Sequence, residues 1–154
     1  MNINQNSYAY NPFYLTGIFK ITRFLFHKFI ESGHDFFGSV KNYMEQSPIR
    51  QKMDQGNWSA LNKGINQLYH SVNLVAVPLN DNSYMDGIMS DWLADVYVYM
   101  QWRYRISSVD LVQCLTPEEL CELYYPLHEA SLSVACEKLY QRYCNKTAKK
   151  GDLT

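Results

Sequence analysis

The sequence predicts an all-α fold, a single-domain irregular helical bundle built around a long central helix at about residues 83–105. In that stretch, apolar residues recur at spacings of three and four, which is the period of a helix. Because the stretch is apolar on most sides, other helices must cover it. Only residues 74–79 (LVAVPL) are strand-like, and Pro78 confines any strand there to an edge or an extended connection.

The composition and the two ends of the chain predict the domain organisation. With 154 residues, of which 47% are hydrophobic and 15% aromatic, the chain suits one folded domain. Both ends are polar and lack a helical pattern. We therefore expect a flexible N-terminal arm at 1–11, a helical domain at 12–144 and a flexible C-terminal tail at 145–154.

Asn11 and Pro12 mark the start of the first helix, since a capping side chain precedes a proline at the first helical position. This helix is expected to stop at about Ser32, because Gly33 can adopt the left-handed conformation that ends a helix. Trp58 is expected to face inward at the start of a later helix. Three further helical segments are predicted in this half, at 35–46, 48–56 and 58–72.

Capping patterns divide the second half of the chain. Ser83 with Asp86 fits a capping box at the start of the central helix, and Ser107 with Asp110 repeats the pattern before a short helix. These pairs predict two helix starts.

The last two helices are predicted from Thr116 and from a proline. Thr116 is a hydroxyl cap followed by proline and glutamates, which is the strongest start signal in the chain. This helix is expected to stop near Tyr125 because Pro126 follows. The final helix is expected at 127–143.

The first helix carries more apolar surface than an ordinary surface helix. Three explanations fit: packing on two sides within the domain, a partner or dimer surface, and a membrane-surface helix at residues 12–31. A transmembrane span is disfavoured because several charged side chains would need burial. Its polar residues form one stripe, which consists of Thr16, Lys20, Arg23, His27 and Glu31.

The charge balance disfavours a dedicated nucleic-acid binder. The 14 Lys+Arg nearly equal the 15 Asp+Glu, whereas such proteins carry excess positive charge. Residues 108–125 can be drawn as a weak helix-turn-helix, with Arg103 and Arg105 beside it for phosphates. Its second helix is rich in glutamates, which a phosphate backbone would repel. A DNA-binding regulator is therefore one alternative function.

The cysteines favour a reducing, cytoplasmic compartment. They contain no C-x-x-C pair, and we expect them to be small buried apolar groups. No pair of histidines or cysteines has the spacing of zinc ligands, and the glycines are scattered singly. Neither a metal nor a cofactor is therefore expected. The four cysteines are Cys114, Cys121, Cys136 and Cys144.

A small helical enzyme, a hydrolase or transferase, is the other alternative. It would use His128 with Glu129, Asp91 or Asp95 as the carboxylate. A structural role for His128, in which its ring satisfies backbone or tyrosine groups, fits the sequence as well.

Asp91 and Asp95 share one helix face, where two close carboxylates would raise the pKa of one of them. They fit equally a solvated stripe, or a pair that binds Arg103 or Arg105 of a neighbour.

The order of features at the end of the central helix resembles a known family. An aromatic-rich helix is followed by Ile-Ser-Ser-x-Asp-Leu at 106–111, a short acidic helix, and Tyr-Pro-Leu-His at 125–128. This order resembles a family of small bacterial helical proteins that are encoded beside ADP-ribosyltransferase-like toxins on mobile elements. The resemblance covers about residues 88–140, and this chain lacks the family's glycine after the serine. It implies an antitoxin-like accessory role with a toxin or effector as partner.

We therefore expect a non-catalytic protein-binding or regulatory module, which acts by contact with a protein partner or by self-association. Trp, Tyr and Arg dominate the binding energy of desolvated interfaces. The helical periodicity does not place several residues of these types on the side that faces the core. The same residues also fit the packed ends of two helices. The candidate contact residues are Trp102, Arg103, Tyr104, Arg105, Tyr124, Tyr125 and His128.

Overall fold

Packed helices supply most of the core in the residues that the computed structural model of the protein describes, 8–72 and 82–152. The predicted all-α class and the irregular bundle around a long central helix are confirmed. The strand-like segment at 74–79 lies outside the described residues. The helices are α1 (Leu15–Glu31), α2 (Phe36–Gln46), α3 (Pro48–Asp54), α4 (Trp58–Leu61), α5 (Ile65–His70), α6 (Gly87–Tyr104), α7 (Ser108–Cys114), α8 (Pro117–Leu127) and α9 (Leu132–Asp152).

Helix α6 is central because it packs against α1, α7, α8 and α9. It begins one turn later than the sequence predicts, since the carboxylate of Asp86, and not the hydroxyl of Ser83, accepts a hydrogen bond from the Met89 N–H. The helix is buried on most sides as expected, and its remaining stripe is half-buried except at Ile88, which is 74% exposed. The stripe consists of Ile88, Asp91, Trp92, Asp95, Tyr99 and Arg103.

The end of α1 agrees with the sequence, whereas the predicted start at Pro12 is a turn of 3-10 helix, Pro12–Tyr14, that leads into α1. The side chain of Asn11 accepts a hydrogen bond from the Phe13 N–H, and Gly33 has a φ of 77° just after the helix. Helix α1 packs against α6, α5 and α2, so packing on several sides accounts for most of its wide apolar surface, although Phe24 is 53% exposed. Across the described ranges, no helix is long and apolar enough to span a membrane.

The single helix predicted at 58–72 is wrong, since the structure has two shorter helices there, α4 and α5. Gly64 lies at the start of α5 with an extended backbone, at φ −81° and ψ 168°. Glycine costs about 1 kcal/mol relative to alanine inside a helix, which favours a break at this point. Trp58 does not face inward, because it is 68% exposed.

Helix α8 continues through Pro126 to Leu127, beyond its predicted end. A proline in the last turn removes only one intrahelical hydrogen bond, and the His128 N–H still donates to the Tyr124 carbonyl oxygen at 2.7 Å. Helix α9 therefore begins later than predicted, at Leu132.

Helix α9 also includes residues 145–152, which the sequence predicts as a tail. Lys146 attaches this part to the bundle, since its Nζ donates to the carbonyl oxygen of Cys114 at 2.8 Å. Cys114 and Cys136 are buried as expected and Cys121 is half-buried. Cys144 is exposed, so the expectation of four buried thiols is wrong for this one.

The described part of the predicted N-terminal arm, residues 8–11, lies against the end of α6. The Ala9 N–H donates to the carbonyl oxygen of Trp102 at 2.8 Å, and the Trp102 indole Nε1–H donates to the carbonyl oxygen of Tyr10 at 2.9 Å. These contacts bring Tyr8 close to the predicted contact residues.

Candidate functional site

The structure separates the seven predicted contact residues into three places. Residues 102–104 end α6, residues 124–128 end α8, and Arg105 follows α6 with its side chain in a different depression. Trp102 and Tyr124 are buried, so they support the surface rather than form it. Hence the seven residues do not make one continuous surface.

The first place is built around the guanidinium of Arg103. The ring of Tyr8 stacks on Trp102 with centroids 4.1 Å apart and an interplanar angle of 7°. The Arg103 guanidinium lies 5.4 Å from the ring centroid of Tyr8 and 5.6 Å from that of Tyr104, within the range of cation–π attraction. In the described part of the chain, Arg103 forms no ion pair with a carboxylate.

Further tyrosines of α6 and α9 extend this place into a depression of about 540 Å³. The rings of Tyr104 and Tyr140 stack with centroids 4.0 Å apart and an interplanar angle of 2°. Partial burial raises the pKa of the Tyr99 and Tyr104 hydroxyls, so both remain protonated donors at neutral pH. The depression is lined by Tyr99, Arg103 and Tyr104 of α6 and by Ser133, Glu137, Tyr140 and Gln141 of α9.

Sequence reasoning named Arg103 and Tyr104 but missed Tyr8, Tyr99 and Tyr140. Tyr8 was assigned to the arm, which has no periodicity to place it. Tyr99 precedes Arg103 by one helical turn, so this spacing was the signal that would have joined them. Tyr140 reaches the depression only because α9 packs against α6.

The second place is a ring cluster at the end of α8. Trp92 meets Tyr124 edge to face at 5.5 Å, and Tyr124 stacks on the imidazole of His128 at 4.3 Å. The His128 Nδ1–H donates to the carbonyl oxygen of Tyr124 at 2.9 Å. Of these side chains Tyr125, which is 71% exposed, is the most accessible.

The predicted catalytic pairing of His128 with a carboxylate does not form in the described part of the chain. The ring nitrogen of His128 bonds to backbone carbonyls, which is the structural role that the sequence left open. Asp91 bonds instead to another histidine, His27, whose Nε2 lies 2.8 Å from the Asp91 Oδ1.

The two aspartates of α6 pair with α1, and not with Arg103 or Arg105. Arg23 binds Asp95 through two hydrogen bonds of 2.7 and 2.5 Å, and His27 binds Asp91. The earlier residue of α1, Arg23, pairs with the later residue of α6, Asp95, and His27 pairs with Asp91. This reversed order shows that the two helices run antiparallel. A groove of about 790 Å³ runs along this flank of α1.

Arg105 occupies a left-handed backbone conformation, with φ 57° and ψ 35°, that ends α6. A non-glycine residue in this conformation is uncommon. Its side chain borders a separate depression of about 400 Å³, together with Gln51, Asp54 and Ser107.

Below that depression lies a buried polar cluster around Arg50, which is 1% exposed. The Arg50 Nε donates to the Ser108 Oγ at 2.9 Å, and the Ser108 Oγ donates to the Asp54 Oδ1 at 2.7 Å. The Gln101 Nε2 donates to the carbonyl oxygen of Asp54 at 3.1 Å. These bonds join α3, α6 and α7, so the cluster is part of the interior.

Two glutamates of the predicted helix-turn-helix form ion pairs with other helices of the bundle. Glu118 pairs with Lys41 at 2.8 Å, and Glu119 pairs with Arg142 and Lys146 at 2.5 Å each. Within residues 8–72 and 82–152, no group of three histidine, cysteine, aspartate or glutamate side chains is placed to hold a metal ion.

Comparison with protein-family models, with curated proteins and with solved structures finds no match to this chain.

Proposed function

We propose that this protein is a non-catalytic protein-binding module that contacts its partner through the depression around Arg103. One observation carries the proposal: the Arg103 guanidinium lies within 5.4 Å of the Tyr8 ring centroid and 5.6 Å of the Tyr104 ring centroid, without an ion pair to any described carboxylate. Apart from a side-chain hydrogen bond with Tyr99, its donors are available to another molecule.

The chemistry of the depression favours an acidic segment of a partner. A guanidinium binds a carboxylate through two parallel hydrogen bonds, and stacked tyrosine rings offer flat apolar area beside it. Because Tyr104 and Tyr140 are already stacked, little side-chain entropy is lost on binding. A partner that places an aspartate or glutamate on Arg103 and an aromatic or apolar side chain on these rings fits best.

An antitoxin-like or other regulatory role is consistent with this chemistry. The resemblance of residues 88–140 to accessory proteins encoded beside toxins suggests a toxin or effector as the partner. Such a module would act by covering a surface of that partner.

The test selects displayed random peptides on the immobilised protein and measures the affinity of the enriched ones by calorimetry. We expect peptides with an acidic residue next to an aromatic one. Arg103→Ala should weaken their binding by about 2 kcal/mol, the level of an interface hot spot. Arg142→Ala, an exposed arginine of α9 outside the depression, should leave the affinity unchanged.

Two results would overturn the proposal. One is the absence of any enriched peptide that depends on Arg103, with Arg103→Ala folded by circular dichroism. The other is peptide binding that survives both Arg103→Ala and Tyr140→Ala, since the partner would then use another surface.

A further inference from the structure

We propose that α1 pairs in antiparallel orientation with α1 of a second copy of this chain, which gives a twofold-symmetric dimer. This surface lies on α1 and is separate from the depression around Arg103 on α6 and α9. The proposal therefore does not depend on the function proposed above.

A regular stripe of α1 remains open in the single chain. Its residues recur at spacings of four and three, which is the seam spacing of paired helices. Phe24, near the middle of this stripe, is 53% exposed. The stripe consists of Gly17, Lys20, Phe24, His27 and Glu31.

The charges on the stripe identify a second copy as the occupant. Lys20 and Glu31 lie three turns apart, ~16 Å along the helix. Neither side chain forms an ion pair or a hydrogen bond with the described residues. An antiparallel copy places Lys20 opposite Glu31 of the second copy, and the twofold axis repeats that contact with the roles exchanged. The stripe is thus complementary to itself.

The same register places two aromatic contacts between these ion pairs. Phe24 then lies opposite His27 of the second copy, near the twofold axis. The His27 Nε2 lies 2.8 Å from the Asp91 Oδ1, and this hydrogen bond holds the imidazole in place. The groove of about 790 Å³ beside these residues gives the incoming phenylalanine ring room, since Phe19, Phe24, His27 and Asp91 are among the residues that line it.

The size of the stripe indicates a reversible dimer. In this register the two α1 helices overlap from Lys20 to Glu31, ~16 Å along the helix and about one helix wide, so both copies together would bury no more than about 1,000 Å². Interfaces at this low end of the range associate weakly. We therefore expect a dissociation constant in the micromolar range for the wild-type chain, and a mixture of monomer and dimer at such concentrations.

Sedimentation velocity over a concentration series tests the proposal with three charge reversals. Lys20→Glu and Glu31→Lys each place like charges opposite each other twice, so each variant alone should dimerise about tenfold more weakly. Mixed in equal amounts, they should dimerise as well as the wild type, because each Lys20→Glu chain then faces a Glu31→Lys chain with both pairs attractive. Lys149→Glu, which changes the net charge by as much as Lys20→Glu does but on an exposed position of α9, should leave the dimer unchanged.

The outcomes are decisive in both directions. A wild-type chain that stays monomeric throughout the series overturns the proposal. So does a dimer that is insensitive to both reversals, or one that mixing does not restore, since the contact would then use another face or another register. Circular dichroism of each variant confirms that the fold is intact before the comparison is made.

Discussion

Arg50 and Asp54, one turn apart on α3, form an ion pair of 3.1 Å in the interior, where their side chains are 2% and 8% exposed. The charge of Arg50 is further bonded by Ser108 of α7 and Gln101 of α6. The pair is thus the polar junction of three helices. Removing either side chain would therefore leave the other charge buried without a partner.

Arg50→Met is expected to lower the free energy of unfolding by about 3–5 kcal/mol, because the buried carboxylate of Asp54 loses its partner. Urea unfolding followed by circular dichroism measures the change. Arg142→Met, which breaks an exposed ion pair with Glu119, should cost no more than about 1 kcal/mol. Equal losses in the two variants would show that burial of the Arg50 pair is unimportant.

The backbone of Gly87 lies against the imidazole of His27. A Cβ at position 87 would lie 2.8 Å from the His27 Cε1, so in Gly87→Ala the ring must shift, which disturbs its hydrogen bond with Asp91. We expect Gly87→Ala to lower the free energy of unfolding by about 1 kcal/mol in the wild type. In the His27→Ala background the same change should be neutral or stabilising, since alanine is the better helix former.

A double-mutant cycle over these four proteins measures the coupling between the two positions by urea unfolding. The expected coupling is about 1 kcal/mol, as found for residues in contact. Additive effects would show that the ring moves away from Gly87 without cost.

Glu119 should contribute stability that depends on pH. Partial burial opposes its ionisation, but hydrogen bonds from Lys146 and Arg142 outweigh this and lower the pKa of the carboxyl. A lowered pKa in the folded state stabilises the fold above the unfolded pKa of about 4.3 and not below the folded value. The stabilisation is therefore lost as the pH falls through the folded pKa.

Glu119→Gln should consequently be less stable than the wild type by about 1 kcal/mol at pH 7, and the difference should close as the solution is acidified below about pH 4. Urea unfolding at a series of pH values gives both numbers. Glu122→Gln, on the exposed side of the same helix, is the matched control and should show no gap at pH 7. A gap that persists unchanged in acid would contradict the ion-pair origin.

Local sequence predicted where several helices start. The side chains of Asp35, Ser107 and Thr116 each accept a hydrogen bond from a backbone N–H at the start of a helix. A helix cap involves only one residue and the few that follow it, so the local sequence is enough to predict where such a helix starts. The predicted end of α8 before Pro126 was wrong because the energetic cost of a proline depends on its position in the helix. In the last turn few intrahelical hydrogen bonds follow it.

The candidate site was predicted only in part. Arg103 and Tyr104 follow from residue type, since arginine and tyrosine dominate interface energies. Tyr140, which comes from α9, completes the depression only after two helices pack together. His128 shows the converse, because its backbone partners and not its residue type decide its role.

The sequence by itself determined the all-α class, the central position of α6 and most helix starts, because helical periodicity and caps are encoded over a few residues. Only the tertiary structure decided that Asp91 and Asp95 pair with His27 and Arg23, and that Arg50 is buried. Those contacts join positions far apart in the chain. Their partners are fixed by the relative placement of whole helices, which packing of the common core determines and local patterns do not contain.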